Sequence, residues 1–426
     1  MTSAKLFSVR TLVFENGERM PLLISTHSGM PVFDACVYAT SGVRPTSGSA
    51  ATIEQALRGV QLLLTFTSQR HIDLHQRFSS AQFLDLHELD ELVRAAYGPF
   101  SSKRSTETDR ISPEIISLEQ ARRRAPKVPT EPDVSTSTAA IRLYYSRTYL
   151  EWLGQRVAAT VCKTLDEKST YMALLREFLA VLANRTPKAR LRSDRLSLTG
   201  PERGILLRVI DPASPDNPWT GEFVSDRNRL LVTWGMGTGL RRGELLNLRI
   251  KLIDFNRCMA DIVRQHDSKK DPRKYQPNPK SRERSIGISK ELAHLTHEHV
   301  VKYRSKIRDA RKHDFLFVAN TGAPLSMAAV SKIYRTLRNK QPGVGSNLSS
   351  HVLRHTWNED FSEIADRAGL SEEDERRGRI HAMGWSAASA SAEHYLRRRT
   401  RRVATEVSVR IQQAVIDAGG DDGHVG

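Results

Sequence analysis

Apolar residues recur at helical spacing over much of this chain, and that spacing limits the fold more than any other feature. Ile53, Ala56, Leu57, Val60, Leu63, Leu64 and Phe66 fall on one helical face. Phe83, Leu84, Leu86, Leu89, Leu92 and Val93 predict a second helix over 80–97. Residues 139–159 carry Ile141, Leu143, Tyr144, Tyr149, Leu150, Trp152 and Leu153 in the same rhythm, and 172–183 predict a further helix. A helical module at 50–190 follows. Residues 1–48 differ: β-type runs at 5–14 and 20–25 flank Asn16-Gly17, a hairpin signal, and 41–51 read as a Ser/Gly/Pro-rich linker. This N-terminal segment is expected to form a β-rich arm, and no chemistry attaches to it.

Residues 98–135 read as a connector containing Arg122, Arg123 and Arg124. A basic linker of this kind suits a DNA backbone, and equally suits solvent. The polar stretch 187–218 marks a boundary, and a larger domain follows over 200–418. It opens with a helix at 227–236, broken at Thr238-Gly239, and a new helix beginning at Arg241. Strands are expected at 250–255, 258–264 and 284–289. Between the last two runs a basic, Pro-bearing connection with Lys269, Lys270, Arg273, Lys274, Lys280 and Arg282. Helices at 291–312, 323–338 and 405–418, a short strand at 315–319 and a disordered tail at 419–426 complete the prediction. The fold class is mainly α with a small antiparallel β-sheet.

Charge narrows the partner. Lys and Arg number 65 against 48 Asp and Glu, a formal net charge of +17. That excess favours a polyanion, with nucleic acid first. Three scattered cysteines form no CxxC pair, which argues against a disulfide framework and fits a cytoplasmic, nucleoid-associated protein. No run of 18 apolar residues is present, so no membrane partner is expected. His294, His297 and His299 lack the HExxH spacing and read as solvated side chains, with no metal site.

Residues 348–399 hold the chemistry. Ser349 and Ser350 suit a helix N-cap, which places His351 and Arg354 on one face with His355 a turn beyond His351. Donors gathered near the positive end of a helix favour an anion such as phosphate. Trp385 and Tyr395 follow, Tyr395 on a second helical stretch. Taken alone, HxxR also fits a solvated helix face, and Arg241 with Glu244 also fits an ordinary helix start.

The ordered set Thr-Gly-Leu-Arg-Arg-Gly-Glu-Leu (238–245), Lys280, His351-x-x-Arg354, Gly384-Trp385 and Tyr395 resembles the tyrosine recombinase, or phage-type integrase, family. The resemblance is strongest over 225–400 and weaker over 50–190, which looks like the family's helical core-binding domain. It implies that Tyr395 attacks a phosphodiester to give a 3′-phosphotyrosine, that Arg241 and Arg354 clamp the non-bridging oxygens, and that Lys280 protonates the leaving 5′-oxygen. It further implies that His351 donates to phosphate or moves the tyrosine proton, that Trp385 packs on the site, and that Glu244 supports it. Tyr275 and Tyr334 fit the nucleophile position worse. The resemblance implies double-stranded DNA as substrate, a dimer on each site and a tetramer in the synapse, with sibling recombinases or DNA-bending proteins as further partners and no cofactor. Arg122, Arg123, Arg124, Lys269, Lys270, Arg273, Lys274 and Arg282 are the expected DNA contacts. Two other readings share the chemistry or the fold: DNA relaxation of the type IB topoisomerase kind, and a non-catalytic DNA-binding accessory protein.

Overall fold

The computed structural model describes residues 5–47, 49–98, 134–188, 197–265, 267–277, 281–386 and 404–416. Arg122, Arg123, Arg124, Lys280 and Tyr395 lie outside these residues. The chain divides into two compact units, Met1–Ser193 and Asp194–Gly426.

The first unit pairs a hairpin with a helical core. Strands β1 (Phe7–Val13) and β2 (Arg19–Ser25) are antiparallel, in register from Phe7↔Ser25 to Val13↔Arg19. Asn16-Gly17 makes the turn, with Gly17 at φ 93°. The short helix α1 (Phe33–Tyr38) follows, then α2 (Ala50–Gln69), α3 (Leu74–Ser79), α4 (Leu86–Ala95), α5 (Thr136–Val161) and α6 (Leu165–Arg185). Met20 and Leu23 of the hairpin share one apolar core with Leu57, Leu63, Leu150 and Leu175. The side chain of Gln61 ties the hairpin to α2 by donating to the Phe7 carbonyl at 2.7 Å. Helices α2 and α5 meet backbone to backbone at Gly59, where a Cβ would stand 2.7 Å from the Arg142 carbonyl.

Three local expectations change here. The predicted linker at 41–51 is helical over most of its described length, with a π turn at Ala39–Val43 and a helical turn at Arg44–Ser47. Burial of Tyr38, Ala39 and Val43 overrides the Ser/Gly/Pro composition. The helix expected from residue 80 begins at Leu86, because Asp85 and Glu88 form a reciprocal capping box.

In the second unit, α7 (Gly200–Ile210) occupies the predicted boundary; Thr199 and Glu202 cap it reciprocally. Next come α8 (Glu222–Thr238), α9 (Arg242–Leu246) and the antiparallel sheet β3 (Ile253–Asp254), β4 (Met259–Ile262), β5 (Arg284–Gly287). Helices α10 (Lys290–Glu298), α11 (Met327–Lys340), α12 (Ser350–Arg367) and α13 (Glu372–Met383) follow. The predicted helix over 291–312 breaks after Glu298 into π and 3-10 turns. Arg304 is the physical reason: its buried guanidinium takes the carbonyls of Phe315, Ala310 and His313. The expected strand at 315–319 reduces to isolated bridges, Arg249↔Phe315 and Val318↔Pro324.

His299, expected in solvent, is fully buried, with Nδ1 2.6 Å from the Asp226 carboxylate. Among the described residues no three His, Cys, Asp or Glu side chains gather as a metal-binding group, and no helix is long and apolar enough to cross a membrane. Residues 404–416 are helical and exposed throughout.

Candidate active site

Two left-handed glycines shape the site. Helix α8 ends at Gly239 (φ 61°) and α13 ends at Gly384 (φ 62°). Each reverses the chain after its helix and leaves backbone carbonyls open to side-chain donors. Arg241 is the N-cap residue of α9, and its backbone N–H donates to Glu244 Oε2 at 2.7 Å. Arg354 stands in the second turn of α12, a helix capped by Ser349.

The two arginines converge. Arg241 Nη1 reaches the Met383 carbonyl at 3.3 Å, and Arg354 Nη2 reaches the same oxygen at 3.4 Å. Arg354 Nη1 also donates to the Gly239 carbonyl at 2.7 Å. Its guanidinium lies 5.5 Å from the ring centre of Trp385, which is 6% exposed. Arg354 is thus fixed on two carbonyls and an aromatic face. The Arg241 side chain keeps 36% of its surface in solvent.

Glu244 lies beneath both. Its carboxylate is 3.9 Å from Arg241 Nη1, 3.9 Å from Arg354 Nη1 and 2.9 Å from Arg284 Nη1, and it accepts from the Ser281 hydroxyl. Burial by itself pushes the Glu244 carboxyl up. The hydrogen bond and charge of Arg284, the Ser281 hydroxyl and the Arg241 N–H outweigh it and hold the group below the usual carboxylate range.

His351 stands at the exposed start of α12, its Nε2 2.9 Å from Nε2 of buried His355. Burial, and then the charges of Arg354 and Arg241, hold His351 below the ordinary imidazole value. The structure therefore brings Arg241, Glu244, Arg354 and Trp385 into one network, with His351 inside the field of the two arginines. Tyr334 is fully buried, which pushes its phenol up to about 12 and leaves it unsuited to attack a substrate.

The connection between β4 and β5 is anchored where it is described. Asn247 Nδ2 donates to the Pro277 carbonyl at 2.9 Å, Ser281 meets Glu244, and the Arg282 N–H donates to the Gly384 carbonyl at 2.9 Å. Lys269, Lys270, Lys274 and Arg282 are exposed. Arg273, expected among the DNA contacts, is not available for one. It is 8% exposed and bound to Asp271, Asn247 and the carbonyls of Leu246 and Leu325. Its guanidinium also lies 4.6 Å from the ring centre of Phe315. Asp271 two residues earlier was the available signal, since an Asp-x-Arg pair in a loop closes on itself. Sequence reasoning also passed over Arg284 and Ser281. The pointer to them was Glu244, a carboxylate set among Leu245, Leu246 and Leu248 that requires a partner once buried.

A site of this kind, with guanidiniums held on carbonyls around one buried carboxylate, binds an oxyanion and stabilises charge growing on it. Residues 221–365 match the phage integrase family, and the chain carries a tyrosine recombinase domain of that family. Among curated proteins it is similar to the tyrosine recombinase XerC of Lactobacillus leichmannii, 24% identical over 215 residues. That match covers 49% of this chain and spans 65% of the relative's length. Among solved structures it aligns with the XerH site-specific recombinase bound to palindromic difH substrate in a post-cleavage complex, at 16% identity, TM-score 0.42, and coverage of 88% of this chain and 94% of that one. A second alignment is with the Tn1549 transposon integrase in complex with transposon right end DNA, at 16% identity, TM-score 0.36, and coverage of 67% and 97%.

Proposed function

We propose that this chain is a site-specific DNA recombinase that cleaves and rejoins DNA strands through a 3′-phosphotyrosine intermediate, in the integration, excision or transposition of a mobile element. The observation that carries the reading is the convergence of Arg241 and Arg354 on the Met383 carbonyl, with Arg354 packed over Trp385. Two fixed guanidiniums supply the permanent charge and paired donors that a pentacoordinate phosphorane requires.

In this reading the Tyr395 phenolate oxygen attacks the scissile phosphorus. The P–O5′ bond breaks, and the 5′-oxygen leaves with a proton from Lys280. Arg241 and Arg354 hold the non-bridging oxygens, and His351 hydrogen-bonds the phosphate or takes the phenol proton. One phosphodiester is exchanged for another, so no ATP is consumed. The helical unit within 50–190 serves as a DNA-binding domain and the domain within 200–418 as the catalytic one. The net charge of +17 and the exposed Lys269, Lys270, Lys274 and Arg282 support a DNA partner. Protomers pair on each site and assemble as a tetramer in the synapse. The exposed Val407, Ile411 and Val415 of the C-terminal helix support contacts between protomers.

The test is a nicked duplex carrying the candidate attachment site, which sheds a short 5′-fragment on cleavage and traps the covalent complex. Wild type is expected to give a protein–DNA adduct on a denaturing gel, in the presence of EDTA, and Tyr395→Phe none. Band shifts without any adduct from wild type would refute the catalytic reading in favour of a DNA-binding accessory role.

A further inference from the structure

Arg284 begins strand β5, outside the set of residues that the motif singles out. Its side chain is 2% exposed and that of Glu244 is 0% exposed. Nη1 meets Glu244 Oε1 at 2.9 Å, and Nε donates to the Ala382 carbonyl at 2.8 Å. Gly384 admits this arginine: a Cβ there would lie 2.6 Å from Nη1 and 2.9 Å from the Arg282 carbonyl. Burying a guanidinium is costly, so its placement needs a compensating role.

The geometry around Glu244 supplies one. Three guanidiniums face this carboxylate, and only Arg284 makes a direct ion pair; Arg241 and Arg354 stand off at 3.9 Å. An ion pair at contact distance dominates two longer ones, because attraction falls with separation and a contact pair adds a hydrogen bond. Without Arg284, the buried carboxylate would draw Arg241 and Arg354 into contact. Their N–H groups would then face Glu244 rather than an incoming anion.

We propose that Arg284 is a positioning residue, the dedicated counter-ion of Glu244 that leaves Arg241 and Arg354 free for the phosphate. The inference rests on the reading of those two arginines as a phosphodiester clamp. Arg284 itself is shielded from the anion and acts through Glu244.

The experiment compares single-turnover adduct formation on the nicked duplex by wild type, Arg284→Gln, Glu244→Gln and the double variant. Band shifts measure DNA affinity in parallel. Arg284→Gln is expected to slow adduct formation about 100-fold, the scale of losing one preorganised donor. Adding Glu244→Gln to it is expected to restore at least about tenfold, since the stray carboxylate is gone. The ratio of Arg284→Gln to wild-type rates is also expected to rise as pH falls from about 8 to about 5.5, where protonation of Glu244 releases the arginines. The groups facing Glu244 are Arg241 at the start of α9, Ser281 and Arg284 from the β5 side, and Arg354 on α12, while α13 contributes the Ala382 and Met383 carbonyls to these arginines. His351 and His355 titrate in both proteins and cancel in the ratio. A double variant no faster than Arg284→Gln, or a ratio flat with pH, overturns the inference. If Arg284→Gln fails to fold, Arg284→Lys replaces it: it keeps the charge and is expected within about tenfold of wild type, and a loss of about 100-fold overturns the inference. No adduct from wild type overturns the clamp reading and this inference with it; an adduct from wild type with Arg284→Gln equally fast overturns the inference alone.

Discussion

The Nε2 atoms of His351 and His355 stand 2.9 Å apart, their rings crossing at 87°. A hydrogen bond there needs one donor and one acceptor, so the pair holds only while at least one ring is neutral at Nε2. Burial and the charges of Arg354 and Arg241 hold His351 below the ordinary imidazole value. A base with a lowered folded-state value contributes stability fully above its unfolded value of about 6.5. As pH falls through that value the unfolded chain takes up a proton the folded chain resists, and the contribution is lost until the folded value is passed. Wild type is therefore expected to lose stability relative to His351→Gln between about pH 7.5 and about pH 5.5. Urea midpoints at the two pH values check this; a gap between the proteins that ignores pH would contradict it.

The α12–α13 pair is held by an ion pair with no exposure on either side, Arg379 with Glu375. Arg379 Nη1 also donates to the Asn358 carbonyl at 2.7 Å, and Asn358 Nδ2 donates to the Arg354 carbonyl at 2.8 Å. Removing one charge leaves the other buried, so Arg379→Met is expected to destabilise the protein by about 3–5 kcal/mol. Replacing Glu375 by Met as well is expected to recover most of that. Denaturant unfolding of both variants measures it, and a double variant as unstable as the single one would argue that packing, not charge, is what Arg379 supplies.

Exposed and buried cations in the β4–β5 connection are expected to separate in a salt titration. Lys269→Ala, Lys270→Ala and Lys274→Ala are each expected to lower the slope of log binding constant against log salt by up to about 0.9. Arg273→Met is expected to leave that slope unchanged and to lower stability by about 3–5 kcal/mol, because Asp271 loses its buried partner. A slope change for Arg273→Met equal to that of the lysines would place Arg273 on the DNA.

Gly384 and Gly369 have nearly the same backbone, φ 62° and φ 67°, but a Cβ at Gly369 meets nothing within 4 Å. Alanine at Gly369 is expected to cost about 1 kcal/mol from the left-handed conformation alone. Alanine at Gly384 adds a clash with Arg284 and is expected to cost more and to slow adduct formation. Equal effects on stability and rate would show that Arg284 yields without consequence.

Much of the site was legible because its motifs are local. Arg241 and Glu244 are three residues apart across one helix start, and Ser349 announces the helix that presents His351 and Arg354. Glycines at 239 and 384 mark helix ends in the sequence as in the fold. The missed elements were those where packing outweighs composition. Tyr38 and Val43 make a helix of an apparent linker, and Arg304 breaks a helix that composition favours.

The sequence by itself determined the helical architecture, the hairpin at Asn16-Gly17 and the order of the arginine-bearing motifs, because periodicity, capping and turn chemistry act over a few residues. Only the tertiary structure decided which charges face solvent and which are consumed inside. Arg273 and Lys274 are neighbours of like charge, yet one is bound by Asp271 and Asn247 and the other is exposed. Arg284 reaches Glu244 across forty residues of chain. Burial of a charge depends on a partner brought in from elsewhere in the chain, and that is a property of the fold, not of any local run of residues.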